Sequence, residues 1–232
     1  MKAVILAAGR GTRLGAGHPK GLIEIGGRTL IERSLAALER IGLAPPTLVV
    51  GHGKERYLAL GDRARYIVND RFETTSTLQS LVLAHEALRS DLVVLESDLL
   101  YERRALDAVI AAPNPNTLLL GGISQAGDEV WVHAPGGRMS LLSKDRAELP
   151  EEPTGEYVGI ATFSKALLDD LSAYLKEHPQ ASYDGDGLMA LRDRHDIGTV
   201  LVPDLVWGEI DYEAQLVRCR EVVLPRLLAL GE

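Results

Sequence analysis

An α/β domain with a mostly parallel sheet is the fold class this sequence predicts, and three observations carry that reading. Short, continuous apolar runs alternate with segments of helical period, the mark of strands joined through crossover helices. The runs are too uniformly apolar to leave one face in water, so helices should cover both faces of the sheet. The chain has 232 residues, of which 46% are hydrophobic and 25% charged. That is enough for one domain with a buried core and too little for two with a linker, so residues 1–232 are read as a single domain.

The first strand, 3–7, is Ala-Val-Ile-Leu-Ala. Its apolar stretch falls well short of the roughly 20 residues a membrane span needs, and the Gly/Arg-rich segment behind it argues against an export signal. No membrane insertion is expected. The first helix starts at Thr29, whose hydroxyl can cap the turn while Glu32 reaches back, and it carries Leu30, Ile31, Leu35, Leu38 and Ile41 on one face until Gly42 stops it. Strands follow at 47–50 and 64–68, a helix at 77–88, a strand at 92–96, a helix at 103–111 and a strand at 117–121. Residues 129–133 and 138–142 flank Pro135-Gly136-Gly137 and read as an inserted β-hairpin, a place where substrate contacts often sit. A strand at 157–163, a helix at 164–178 and a strand at 199–202 complete the alternation. A last helix at 213–230 should break or kink near Pro225.

Charge and cysteine content narrow the function. The 25 basic and 33 acidic side chains give a formal charge of −8, the wrong sign for following a nucleic-acid backbone. A polyanionic substrate must therefore be met by a few placed cations or by a metal. Cys219 is the only cysteine, which rules out an intramolecular disulfide and a thiolate zinc cluster and fits a reducing cytoplasm.

The most informative segment runs from Leu6 to Gly15, Leu-Ala-Ala-Gly-Arg-Gly-Thr-Arg-Leu-Gly, with Pro19-Lys20 shortly after. Small residues at the end of a buried strand let backbone N–H groups approach phosphate oxygens. Gly15 lies four residues after Gly11, where a dinucleotide fingerprint needs three, and no Gly-Lys-Ser/Thr of a Walker loop follows. What remains is a loop whose Arg13 and Lys20 are spaced to straddle a triphosphate. This motif resembles the signature of the sugar-nucleotide pyrophosphorylase and cytidylyltransferase superfamily. The resemblance implies a three-layer αβα fold of the nucleotide-diphospho-sugar transferase type, nucleotide binding over Leu6, Ala7, Ala8, Gly9, Gly11 and Thr12, catalytic Arg13 and Lys20, and Mg²⁺ as cofactor.

Bringing two anions together favours a metal that neutralises both, and Mg²⁺ usually takes one or two protein carboxylates. Asp98, after the apolar run 92–95, stands at the C-terminal end of a central strand, where open α/β sheets bind ligands. Asp211 closes the run Val206-Trp-Gly-Glu-Ile-Asp. Both match metal positions of similar enzymes. Glu96 and Glu209 precede them by two residues and are second or alternative ligands. His18 and His133 are left out of the mechanism, because a phosphate or phosphonate nucleophile is already ionised near pH 7.

The stretch 69–81 links a strand to a helix and is rich in short hydroxyl side chains. Asn69, Thr75, Ser76 and Ser80 there can cap backbone groups or hydrogen-bond a pyrimidine. Together with 96–102, Asp128-Glu129-Val130, 155–160 and 207–211, the chain is similar to the 2-aminoethylphosphonate and phosphocholine cytidylyltransferases, and more to the former. That implies CTP as donor and a small phosphonate or phosphate acceptor, and leaves room for a homodimer. Lys144 occupies the place of a lysine that holds the acceptor's anionic group in similar enzymes. A cationic amine on the acceptor calls for carboxylates or aromatic faces. Asp128, Glu129, Glu156, Asp184 and Asp186 are the acidic candidates, with Tyr183 and Trp131 as aromatic walls. Two departures stand out: Ser76-Thr77 where phosphocholine relatives carry paired asparagines, and an extra residue within 183–187 relative to the phosphonate branch.

Overall fold

A computed structural model of the chain describes residues 1–15 and 19–232. Its elements are β1 (Lys2–Ala7), β2 (Glu24–Ile25), β3 (Arg28–Thr29), α1 (Leu30–Arg40), β4 (Thr47–Val50), α2 (Lys54–Leu58), β5 (Arg65–Val68), α3 (Thr77–Leu88), β6 (Leu92–Glu96), β7 (Leu99–Tyr101) and α4 (Arg104–Ala111). They continue with β8 (Thr117–Gly121), β9 (Trp131–His133), β10 (Leu141–Ser143), β11 (Gly155–Phe163), α5 (Lys165–Glu177), α6 (Leu188–Leu191), β12 (Gly198–Val202), β13 (Trp207–Glu209), α7 (Glu213–Arg218) and α8 (Leu224–Ala229).

One nine-stranded sheet follows the order β10-β9-β11-β6-β1-β4-β5, with β8 and β12 added on the other edge of β11. The pairs β6–β1, β1–β4, β4–β5 and β8–β12 are parallel, while β11 runs against both β6 and β8. Side chains of β1 alternate between two cores: Val4 and Leu6 pack with α3 and α5, Ala3, Ile5 and Ala7 with α1 and α4. The result is the expected three-layer αβα sandwich. A third cluster, including Leu100, Val206, Ile210, Leu216 and Leu227, seats α7 and α8 on β7 and β13.

The inserted hairpin owes its position to the length of β11. Residues 160–163 of that strand pair with β6, and Gly155 and Glu156 pair with β9 on the same edge. The β9–β10 hairpin therefore begins where β6 ends, above the C-terminal edge of the sheet.

Local signals explain the helix ends. Thr29 and Glu32 form the capping box at the start of α1. At its end Gly42 adopts φ +75° and Leu43 N–H reaches the Leu38 carbonyl at 2.9 Å. The break in the last helix is a π-turn at Cys219–Val223, which puts Pro225 in the first turn of α8, where its missing N–H costs least. The β2–β3 hairpin, α2, α6 and the antiparallel β7–β13 ribbon are additional to the sequence expectation. Each is too short to show a period. Among the described residues no helix is long and apolar enough to cross a membrane.

Gly51 marks a close approach between the β4 end and the first loop: a Cβ there would lie 2.7 Å from the Ala8 carbonyl oxygen and 2.7 Å from Phe72 Cβ. Gly51→Ala should lower stability by about 1–3 kcal/mol through overpacking. Gly42→Ala, with open space around it but positive φ, should cost about 1–2 kcal/mol through strain alone. Urea unfolding of both variants checks this, and a parental midpoint for Gly51→Ala would show that the two loops are not packed this closely.

Candidate active site

The C-terminal edge of the sheet opens into a cavity of about 520 Å³. Strand alternation and the turn after β1 bring Leu6, Ala8 and Gly9 into its wall, while Ala7 points into the opposite core. Gly11, at φ +61°, and Thr12 build the following turn, outside the wall. His18 lies outside the described residues.

The centre of the site is an ammonium held between two carboxylates. Lys20 Nζ lies 2.6 Å from Asp98 Oδ2 and also contacts Asp211 Oδ1. Arg13 Nη1 holds the other oxygen of Asp211 at 3.2 Å, with its guanidinium 5.5 Å from the Tyr212 ring centroid. The pairing of Asp98 with Asp211 comes from the β7–β13 ribbon: Trp207, Gly208 and Glu209 face Tyr101, Leu100 and Leu99, and Ile210 N–H donates to the Asp98 carbonyl at 3.1 Å. Burial by itself would depress the Lys20 ammonium, but Asp98 and Asp211 hold it charged, well above the usual lysine value. Asp211 resists its own burial through a hydrogen bond with Asp128 and the Lys20 charge, which keep its carboxyl below the usual range. Asp128 takes the opposite course and is pushed up to about 6 by burial and by that same hydrogen bond.

Beside the expected Asp98 and Asp211 pair, the described residues hold a group of three carboxylates that shares Asp98 with it. Oxygens of Glu96, Asp98 and Glu209 all lie within 4.8 Å of one another. Asp211 is instead saturated by Lys20 and Arg13. Burial, then Asp98 and Asp184, push Glu96 up to about 8, and burial, then Asp98 and Glu96, raise Glu209 well above the carboxylate range. Asp98 Oδ1 is buried without a hydrogen-bond partner. Acidic oxygens crowded at mutual cost, one of them orphaned, fit a hard divalent cation.

The hydroxyl-rich segment lies at the cavity and also bonds to backbone, Thr75 Oγ1 donating to the Arg71 carbonyl at 2.8 Å. Asn69, Thr75, Ser76 and Ser80 all line the cavity. The Asn69 amide donates to Thr75 Oγ1 at 3.1 Å and Ser80 Oγ at 3.2 Å, and its oxygen accepts from Arg71 N–H at 3.0 Å, so it is spent on bracing the loop. Ser76 is the N-cap of α3, yet its hydroxyl donates to the Ala181 carbonyl and ties the two rims together.

Across the cavity, Lys144 at the end of the hairpin and Asp184 line the wall. Asp128 sits behind them, 3.8 Å from Lys144 Nζ and 3.8 Å from Arg13 Nη1. Four other acceptor candidates are placed elsewhere. Tyr183 is fully buried and donates to Glu96 Oε1 at 2.6 Å, so it positions that carboxylate rather than forming a wall. Asp186 accepts from Ser182 N–H at 2.8 Å and closes its own turn. Glu129 accepts from Gly127 N–H at 3.0 Å, outside the cavity. Glu156 is buried and accepts from Ser124 N–H at 2.7 Å, in a separate crevice with Asp128 and Glu209. Trp131 is also absent from the wall, which takes its aromatic surface from Tyr57 and Phe72. Phe72 could have been found as the one aromatic residue in the hydroxyl-rich stretch; Tyr57, on the short α2, gives no such signal.

The MobA-like NTP transferase domain family matches residues 3–195. The CMP-5'-(3-aminopropyl)phosphonate synthase of Streptomyces rubellomurinus is 39% identical over 127 residues, which is 51% of this chain and 20% of that protein. The choline-phosphate cytidylyltransferase of Streptococcus pneumoniae is 33% identical over 107 residues, 44% of this chain and 47% of that one. These matches thus span about a fifth and about half of the two curated relatives. The inositol-1-phosphate CTP transferase of T. maritima superposes with a TM-score of 0.80 at 20% identity, over 98% of this chain and 94% of that one, and shares the fold.

Two measurements test the electrostatics. Lys20→Ala leaves Asp98 and Asp211 facing each other, and should cost about 3–5 kcal/mol at pH 7. Millimolar Mg²⁺ should restore more stability to that variant than to the parent, and a melting midpoint indifferent to Mg²⁺ would count against a cation site among these acids. Burial pushes the Glu156 carboxyl up to about 7. The folded state therefore binds its proton more tightly than the unfolded chain, and stability declines as pH rises from the ordinary carboxylate value through 7. Glu156→Gln should gain on the parent by about 3 kcal/mol between pH 4.5 and pH 8, read from denaturant unfolding at the two pH values. A constant difference would mean that Glu156 stays ionised throughout.

Proposed function

This chain belongs to the MobA-like NTP transferase domain family, and we propose that it transfers CMP from CTP to 2-aminoethylphosphonate, giving the CMP-linked phosphonate and pyrophosphate. The observation that carries this reading is a single cavity that offers a cation and a carboxylate on each of two opposite walls. Lys20 and Asp98 stand with the glycine loop at one side, and Lys144 and Asp184 at the other.

The donor triphosphate lies along the glycine loop, where backbone N–H groups, Arg13 and Lys20 meet its oxygens. Lys20 has to leave its carboxylates to do so. Glu96, Asp98 and Glu209, with Asp211 once it is released, would hold Mg²⁺, which when bound would neutralise charge on the nucleotide's phosphates and on the acceptor's anionic group. Lys144 draws the acceptor's anionic head in, and an acceptor oxygen forms the new bond to the α-phosphorus as the bond to pyrophosphate breaks opposite it. That oxygen is already ionised near neutral pH, so no general base is required.

Asp184 favours an acceptor with a primary ammonium, which can donate hydrogen bonds to a carboxylate. A quaternary ammonium is better served by stacked aromatic faces; Tyr183 and Trp131 are absent from the wall, and its aromatic residues Tyr57 and Phe72 stand beside Gly21 and the Ala8 turn, on the glycine-loop side. Phosphocholine is therefore the second choice. A sugar or inositol phosphate would call for neutral polar groups beside Lys144 rather than acids.

Incubation with CTP, Mg²⁺ and each acceptor in turn, following pyrophosphate release, should show 2-aminoethylphosphonate ahead of phosphocholine and inositol phosphate. Asp98→Asn should cut release by about 10³-fold or more while the chain stays folded. Lys144→Ala should lower kcat/KM for the acceptor by about 10–100-fold, the worth of one charge-assisted contact. Silence with every acceptor would favour a nucleotide-binding module without turnover, and a parental rate for Asp98→Asn would remove that residue from the mechanism.

A further inference from the structure

A second cavity, of about 160 Å³, opens where β7 passes α1 and α8, and its wall is cationic although the chain as a whole is anionic. Arg28, Arg33, Arg40 and Arg103 all line it, and Glu232 is the one carboxylate among its described residues. The α1 face explains the shape. Arg33, Ala36, Ala37 and Arg40 recur at helical spacing, so two arginines flank a pair of methyl groups and leave a hollow between them.

The cations in this hollow are compensated only in part: the Glu32 carboxylate feels the Arg28 charge and Arg103 pairs with Glu232, but Arg33 and Arg40 have no ion pair among the described residues. Burial and then the neighbouring Arg28 charge lower the Arg33 pKa, with no carboxylate among the causes. Arg33 Nη2 donates to the Ile25 carbonyl at 2.5 Å, but its Nε is buried without a partner. Arg28 spends Nη2 on the Glu32 carbonyl at 3.3 Å. Glu232 is engaged by Arg103 alone, through the backbone N–H at 2.8 Å and Nε at 2.9 Å. Like charges gathered in a concavity raise the local potential and favour a bound anion. The volume is below the ~300–1,000 Å³ of pockets that enclose whole organic ligands.

We propose that this cavity is a second binding site, for a small phosphate-type oxyanion, with Arg28, Arg33 and Arg40 as its donors and the Glu232 carboxylate as an internal competitor at its rim. Guanidinium forks match tetrahedral oxyanions in both charge and geometry. The site stands apart from the glycine-loop cavity and shares no lining residue with it. Nothing in the proposal depends on CTP being the donor or on turnover at all. Inorganic phosphate and pyrophosphate present the same chemistry, and the volume admits either.

Isothermal titration of the full chain with inorganic phosphate, and separately with pyrophosphate, in the presence of EDTA tests the site. A saturable heat with either anion is expected, and the tighter of the two names the source. The heat should survive in an Arg13→Ala, Lys144→Ala double variant, which removes two cations beside the main cavity. It should weaken by at least about tenfold in Arg40→Ala, a change on an exposed side chain that leaves the Arg33 contact to Ile25 in place. Glu232→Gln should tighten binding by several-fold, about as much as the competitor had masked. Absence of heat with both anions, its loss in the Arg13 and Lys144 double variant, or its persistence at full strength in Arg40→Ala would overturn the proposal. Unchanged affinity in Glu232→Gln would overturn the role given to that carboxylate.

Discussion

One ammonium between two buried carboxylates organises this molecule's working edge. Asp98 and Asp211 are 7% and 6% exposed, and two such charges this close could not both stay ionised without a cation between them. Lys20 supplies it, and Arg13 takes the remaining oxygen of Asp211. In the proposed function, the same charges that make the pair costly in isolation would suit it to a divalent cation, because a metal could take over the neutralising role that Lys20 performs in this state. Lys20 would then be free to meet a phosphate, and one residue would serve the resting site and the reacting one in turn.

The fold brings these groups together through its least conspicuous element. The central strands explain why Asp98 lies at the C-terminal edge, but Asp211 is more than a hundred residues away in sequence and belongs to no strand of the large sheet. Three paired residues on each side of the β7–β13 ribbon, and the hydrogen bond from Ile210 to the Asp98 carbonyl, fix the two aspartates side by side. The cluster of Leu100, Val206, Ile210 and Leu227 beneath the ribbon makes that register hard to change. The long strand β11 has a comparable effect on the other wall. By pairing with β6 and then with β9, it places Lys144 across the cavity from the glycine loop.

Much of the architecture was legible because it rests on local signals. The strands at Thr47–Val50, Leu92–Glu96 and Thr117–Gly121 and the helix at Thr77–Leu88 have the bounds their apolar patterns predict. The capping box of α1 is read directly from Thr29 and Glu32. The ribbon was not legible, since three residues of strand show no period and its pairing is entirely long-range. In the site, residue type and position at a strand end were informative, whereas side-chain direction was not. Tyr183, Asp186 and Glu156 lie close to the cavity in sequence terms, but a π-turn at Tyr183–Gly187 and the alternation of β11 send them inward or back onto their own backbone. Such directions depend on packing that no local pattern encodes.

A chain of net charge −8 can still bring two anionic reactants together because the balance that matters is local. At an effective dielectric constant of about 20, a unit charge 4 Å away is worth about 4 kcal/mol, and beyond the roughly 8–10 Å screening length surface charge counts for little. Arg13, Lys20 and Lys144 fall within that range of the cavity, and Asp128 ties two of them together at 3.8 Å each. Asp128 is thereby the hinge of the arrangement: its burial and its hydrogen bond with Asp211 favour the protonated form, and the cations favour the ionised one. In the proposed reaction, an incoming phosphate or phosphonate would compete with Asp128 for those same two side chains. The acids around the cavity hold the cations in place, and a substrate carrying more charge than any single carboxylate would displace them.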